Sequence, residues 1–203
     1  VIFMAAFLVA ATFQIRSESF RPALYWLTII ASTTVGTTLA DFADRSLGIG
    51  YLGGSILLAG LLLASLLIWY RSLGSLAASS VTTPRAETFY WTTIMFSQTL
   101  GTALGDWTAD GADLGYDGAA LIFGGLLTLV AIGYFATRIS RVLLFWSAFV
   151  LTRPLGAVLG DYLDKPIAQG GLEFSRYTAT ATLLIAAAIL IFALPQRAAR
   201  GTP

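Results

Sequence analysis

Residues 97–110 read Ser-Gln-Thr-Leu-Gly-Thr-Ala-Leu-Gly-Asp-Trp-Thr-Ala-Asp, with Gly101, Gly105, Asp106 and Asp110 set in a run that is otherwise apolar or hydroxylic. Two small residues four apart share one helix face and let a neighbouring backbone come close. An acid directly behind them is foreign to a plain apolar helix. The arrangement recurs twice. Residues 35–44 read VGTTLADFAD, and residues 155–164 read LGAVLGDYLD. Upstream of each stands an aromatic residue followed by Trp: Tyr25-Trp26, Tyr90-Trp91 and Phe145-Trp146. In all three copies Gly follows Trp by ten residues and Asp follows it by fifteen, without a gap. This is an internal repeat, and it governs how every other motif is read.

The repeats lie in a chain built for lipid. Of its 203 residues 57% are hydrophobic and 11% charged, with a mean hydropathy of +0.78. A soluble domain carries about 25% charged residues, so this chain cannot cover a water-facing surface. An ordinary soluble enzyme, a disordered chain and a nucleic-acid binder are excluded. The net charge of +1 encodes no bulk attraction to an acidic partner. With no His and no Cys, disulfides, imidazole or thiolate metal sites, cysteine nucleophiles and histidine bases are excluded as well. Glycines 48, 50, 53 and 54 follow no strand, so they form no dinucleotide fingerprint.

A transmembrane helix needs about 20 apolar residues. Stretches 22–40, 46–70, 88–105, 118–137 and 177–196 carry no charge, 142–160 carries only Arg153, and the opening stretch 1–15 is uncharged but short. The expected fold is all-α: a polytopic bundle of seven helices forming a single transmembrane domain over 1–196, with a cytoplasmic tail at 197–203. Lys and Arg fall unevenly between the two sets of loops. Arg16, Arg21, Arg71, Arg85, Arg138, Arg141, Arg197 and Arg200 lie on one side, against Arg45, Lys165 and Arg176 on the other. The positive-inside rule puts the C-terminus in the cytoplasm.

Each aspartate-bearing helix is followed by a plain apolar one, so the unit is a helix pair, at 21–72, 85–138 and 141–197. An even number of helices per unit makes the repeats parallel, related by an axis along the membrane normal. Residues 1–16 read as the orphan second helix of an earlier unit. The expectation is a further N-terminal helix with its own Gly and acid, giving four units and eight helices.

The chain resembles a family of bacterial membrane-anchored proteins built from a short repeat of unknown function. The Gly-x4-Asp repeats carry the resemblance, with the strings Gln98–Asp106 and Thr152-Arg-Pro-Leu-Gly-Ala-Val-Leu-Gly-Asp161. It implies a multi-pass protein of the bacterial inner membrane with four repeats, and it implies no activity. The chain departs from the family by lacking the first helix.

The repeated residues have physical consequences. Gly36 with Ala40, Gly101 with Gly105 and Gly156 with Gly160 are helix-packing pairs. The aromatic-Trp pairs read as anchors at the membrane interface. Fifteen residues, about 22 Å of helix, separate Trp from Asp, which sets Asp41, Asp106 and Asp161 in the far leaflet. Intramembrane acids default to a functional reading. The bland alternative is a carboxylate capping the next helix. Asp44, Asp110 and Asp164 follow each first acid by three or four residues, and Asp113 and Asp117 add to the second unit. Thr34, Thr37, Thr38, Gln98 and Thr102 form a polar row leading to the acids. Arg153, aligned with Thr33 and Gln98, needs an acidic partner, expected to be Asp106 or Asp41.

Paired carboxylates with hydroxyls are hard oxygen ligands suited to divalent cations. The leading expectation is therefore a transporter or channel for a small cation, with a divalent metal exchanged for protons as preferred substrate. Asp41, Asp106 and Asp161 serve as metal ligands or proton carriers, Asp44, Asp110 and Asp164 form an outer vestibule that binds ions or carries protons, and no resident cofactor is needed. The alternative is a non-transporting scaffold, sensor or assembly factor. An intramembrane hydrolase fits less well, because repeated acids occupy equivalent environments whereas acid–base chemistry needs unequal ones; no enzyme is expected. The partners expected are the lipid bilayer and the cation, with assembly as a homo-oligomer left open.

Overall fold

In a computed structural model of the chain, residues 2–17 and 20–194 are described, those at 44 and 45 by backbone alone. The tail at 197–203, with Arg197 and Arg200, and the Asp44 side chain lie outside the described residues. Within them the fold is all-helical. Helix α1 spans Ile2–Ile15, α2 Pro22–Asp41, α3 Gly50–Leu73, α4 Pro84–Asp106, α5 Gly115–Ala136, α6 Arg141–Asp164 and α7 Arg176–Ala193. Helices α2, α3, α5, α6 and α7 are long and apolar enough to cross a membrane, and α1 is a shorter apolar helix.

Local chemistry sets the helix ends. Pro22 and Pro84 open α2 and α4, where the missing N–H costs nothing. Thr83, Ser140 and Ser175 cap α4, α6 and α7 through their side-chain oxygens. Gly74, at φ 74°, ends α3 in the left-handed conformation that glycine tolerates.

Helix α4 is long enough to span but too polar to read as a lipid-facing helix. Its Thr93, Ser97, Gln98 and Thr99 are buried, and α1, α2, α3 and α6 all pack against it. A helix surrounded by protein can carry hydroxyls that a lipid-facing one cannot.

The inner helices α2, α4 and α6 run parallel. Tyr25 meets Tyr90 at one end of the α2–α4 pair (hydroxyls 2.9 Å apart), and Thr37 meets Thr102 at the other (3.5 Å). Both contacts join residues 65 apart, which only parallel helices in register allow. Between α4 and α6, Gly101 faces Arg153 and Gly105 faces Ala157, again ascending together. The outer helices are antiparallel to them: Ser65 bonds Thr93 at 2.8 Å, and Trp69 stacks on Phe89.

The outer helices α3 and α5 leave their own units and pack on the inner helix of the next. Helix α1 packs on α2, α3 on α4 and α5 on α6. Helix α7 touches α6 slightly, and Ala179 is its one buried residue among those described. Leu63, Leu121, Leu129, Ile185 and Phe192 project from α3, α5 and α7 as an apolar outer surface, suited to lipid.

Of the aromatic pairs expected at the interface, Phe145 is exposed and Tyr25, Trp26 and Tyr90 are half-buried, whereas two of the tryptophans are covered by neighbouring helices. Trp91 and Trp146 are almost fully buried, as is Trp69 of α3. They form an inward cluster, with Trp69 edge-on to Trp146 at 5.6 Å and Trp91 against Tyr25 at 5.6 Å. The Trp146 indole N–H donates to the Leu76 carbonyl at 2.9 Å. Close packing at the glycines draws the helices together, so the neighbouring helix covers rings that an isolated helix would show to the interface.

Candidate functional site

The glycines set the spacing between inner helices. A Cβ at Gly36 would lie 2.7 Å from the Gln98 Cβ. At Gly101 it would collide with the Cβ of Arg153, and at Gly105 it would lie 3.2 Å from the Ala157 Cβ. In sequence register, the repeat glycine of one unit receives the residue three places before the glycine of the next. Gly156 and Gly160 have nothing within 4 Å, so they do not pack in the way expected from the sequence.

This crossing fixes which positions face inward. A cavity of about 260 Å³ is lined by Thr37 and Asp41 from α2, Thr102 and Asp106 from α4, and Ala157 and Asp161 from α6. These are the same two positions of each repeat, the residue after the glycine and the fifth after it. Asp110 and Lys165, each four residues beyond the aspartate of its unit, complete the lining.

After Asp41 and Asp106 the helix widens into a single π-turn, Phe42–Ser46 and Trp107–Gly111 respectively. Leu47 N–H donates to Phe42 O at 3.2 Å and Ala112 N–H to Trp107 O at 2.7 Å. Such turns often mark functional positions in helices. Neither aspartate caps the turn that follows it, so capping does not explain their recurrence. The third unit has no π-turn: α6 continues to Asp164, and residues 171–174 fold back on its end. There Leu172 N–H donates to Tyr162 O and Phe174 N–H to Leu163 O. Sequence reasoning missed both the π-turns and Lys165. The lysine's one signal was its place four residues after Asp161, matching Asp110 after Asp106.

Other expected site residues lie elsewhere. Thr34 and Thr38 bond carbonyls of their own helix, the quiet packing mode of membrane hydroxyls. Gln98 donates to Thr33 at 2.8 Å and to Ser32 at 3.4 Å, locking α2 to α4 without reaching the cavity. Asp164 pairs with Arg176 at 3.4 Å. Asp113 and Asp117 are exposed and outside the lining, Asp113 in a turn at φ 55°.

Arg153 also requires a correction. No acid pairs with it among the described residues. Its guanidinium lies 4.3 Å from the Phe149 ring centroid, and its Nε is buried without a hydrogen-bond partner. Its Cβ is pinned at Gly101, so the side chain takes the aromatic face within reach, a cation–π arrangement.

Among the described residues no group of three or more acids could hold a metal ion. Asp41, Asp106 and Asp161 reach the cavity from separate helices and line different walls. The space has room for several waters, more than a dehydrated divalent ion fills.

A family model described as Repeat of Unknown Function (DUF347) matches residues 24–75, 89–140 and 144–200. Each match starts within the aromatic-Trp pair or next to it and runs through one inner and one outer helix. No curated protein matches the chain, and no solved structure does.

Proposed function

Because the chain belongs to the DUF347 repeat family, whose description carries no chemistry, we propose its function from the cavity: it is a membrane protein that takes up a small hydrated cation between its inner helices and passes it across the bilayer. One observation carries this reading. Three aspartates and two threonines at matched repeat positions, with Asp110 beside them, line the same cavity. Acids at membrane depth are costly and are retained where they contact ions, protons or water. Among the described residues of the lining they are set against one lysine, and that balance favours positive charge.

Size and ligand geometry favour a cation that keeps its water over a directly coordinated metal. Thr37 and Thr102 offer hydroxyls to that water shell, and the carboxylates exchange protons with it. The chemistry is binding and transfer, without bond breaking in a substrate. At the opposite end the inner helices α2 and α4 are joined by the Tyr25–Tyr90 bond and the Tyr25–Trp91 contact, and the outer helix α3 meets α6 through Trp69 and Trp146. Transfer therefore requires that aromatic end to part while the carboxylate end closes. By the positive-inside count the cavity opens away from the cytoplasm of a bacterial inner membrane.

The test is cation and proton flux into liposomes holding the purified protein, compared with Asp106→Asn. We expect a drop of about tenfold or more, which corresponds to roughly 1.4 kcal/mol. Equal flux in the two proteins, or none in either, overturns the reading.

A further inference from the structure

Two buried oxygens at the aromatic end of the inner helices lack a donor. Glu87 Oε2 on α4 and Gln14 Oε1 on α1 are both buried without a hydrogen-bond partner, and Gln14 as a whole is 6% exposed. A carboxylate oxygen and an amide carbonyl oxygen can only accept, and a buried acceptor left alone is costly. Neither residue lines the carboxylate cavity at the other end of α4.

The packing brings both to one corner. Tyr25 meets Tyr90, so Pro22 of α2 stands level with Glu87, three residues earlier on each helix. Helix α1 ends at Ile15 and α2 opens at Pro22, which sets Gln14 at the same end. The faces agree as well. Phe7 and Ala11 of α1 share a core cluster with Trp91 and Ile94 of α4. Gln14 follows Ala11 by three residues and Glu87 precedes Trp91 by four, so each continues a face already in that cluster. The Trp91 indole N–H donates to the Glu87 carboxylate, and the same ring lies 5.6 Å from that of Tyr25.

The charges at this end leave the carboxylate without a counter-ion. Arg16, Arg21, Arg71 and Arg85 are exposed. Arg153 of α6 acts on the Tyr90 hydroxyl, but its guanidinium lies on Phe149. Tyr25 of α2, Tyr90 of α4 and Trp69 of α3 bring no charge. Two oxygens are too few to hold a metal ion in place of its water. A proton needs no more than two: on Glu87 it turns one orphan acceptor into a donor, and Gln14 Oε1 is the acceptor still open.

We propose that Glu87 is the proton-carrying group of the closed end, with Gln14 as the acceptor that holds its proton, and that it exchanges this proton with the side of the membrane the cavity does not face. What the proton is exchanged against rests on the cavity reading given above. While the aromatic end is closed, Glu87 is the neutral acid. When that end parts, water reaches the carboxyl, the proton leaves to the water and a carboxylate remains; no other bond forms or breaks. A cation released from the cavity then meets a negative group on its way out.

Two measurements on the purified full chain test the proposal. The infrared spectrum at neutral pH should contain a protonated-carboxyl component that is absent from Glu87→Gln and displaced in Gln14→Leu. Failure of either change overturns the proposal. In liposomes, with magnesium as the probe because it keeps its water, uptake is driven by a pH gradient in one assay and labelled ion exchanges at equal pH in the other. Glu87→Gln should abolish the driven uptake and leave the exchange unchanged, since glutamine stands in for the neutral acid. Glu87→Asp, which can still carry the proton, should restore part of the driven uptake. Loss of both fluxes together, or of neither, overturns the proposal. Failure of the cavity reading looks different: the unaltered chain then moves no magnesium, and the infrared component alone decides the role of Glu87.

Discussion

Gly101 illustrates how single residues act here. Its missing side chain makes room for the Arg153 Cβ and backbone, so Gly101→Ala forces α4 and α6 apart. Overpacking of this kind costs about 1–3 kcal/mol. Gly60 on α3 meets nothing within 4 Å, and Gly60→Ala should be neutral or stabilising by up to about 1 kcal/mol through helix propensity. Thermal unfolding of the two variants in detergent separates these outcomes. Trp146→Phe keeps a six-membered aromatic ring but removes the N–H that donates to the Leu76 carbonyl, together with some buried ring volume, so the bond sets the lower bound of the effect. Unfolding should show a loss of at least about 0.5–1.5 kcal/mol, the net worth of one such bond. At this scale the sequence was partly legible. The glycine spacing marked Gly36, Gly101 and Gly105 as contact points, but the same spacing marked Gly156 and Gly160, which meet nothing. Arg153 was read as needing an acid and lies on Phe149 instead, because the nearest partner is set by which side chains the crossing brings alongside.

Among the elements, the π-turn after Asp106 sets where Asp110 stands relative to the cavity. One extra residue in a turn rotates everything beyond it by about 100° relative to an α-helix. Asp110→Asn removes the charge that the turn Trp107–Gly111 holds at the cavity wall. Helical content by circular dichroism is expected to stay the same while cation flux falls several-fold; unchanged flux means that Asp110 is not needed. The helices themselves were legible, because charge-free runs of the right length leave the backbone no other arrangement in lipid. The π-turns were not legible, since Phe-Ala-Asp-Arg-Ser and Trp-Thr-Ala-Asp-Gly share no pattern that distinguishes them from an ordinary last turn. The burial of α4 was visible only as excess polarity, which by itself could equally have marked a surface helix.

For the whole molecule, the charge inside the cavity is what matters. Lys165 lines it together with Asp41, Asp106, Asp110 and Asp161, and under the proposed function it is a tethered cation that competes with a soluble one. Lys165→Gln removes that competitor, and the apparent affinity for a cation should rise about tenfold at low salt, equivalent to roughly 1.4 kcal/mol. The gain should shrink as salt approaches 1 M and the screening length falls to about 3 Å. Titrating uptake in liposomes at two ionic strengths checks both statements, and an unchanged affinity would show that the ammonium does not face the bound cation.

Composition and repeat spacing alone determined that the chain is a membrane bundle and that three of its helices are equivalent. Hydrophobic run length and matched intervals along a helix are local properties that need no knowledge of neighbours. Which faces of those helices meet, that α4 stands at the centre, that α3 and α5 pack one unit onward while α7 does not, and that Gly156 is left open were decided by the tertiary structure alone. Those features depend on the crossing of helices far apart in the chain, where a side chain three residues before one glycine settles against the glycine of another unit.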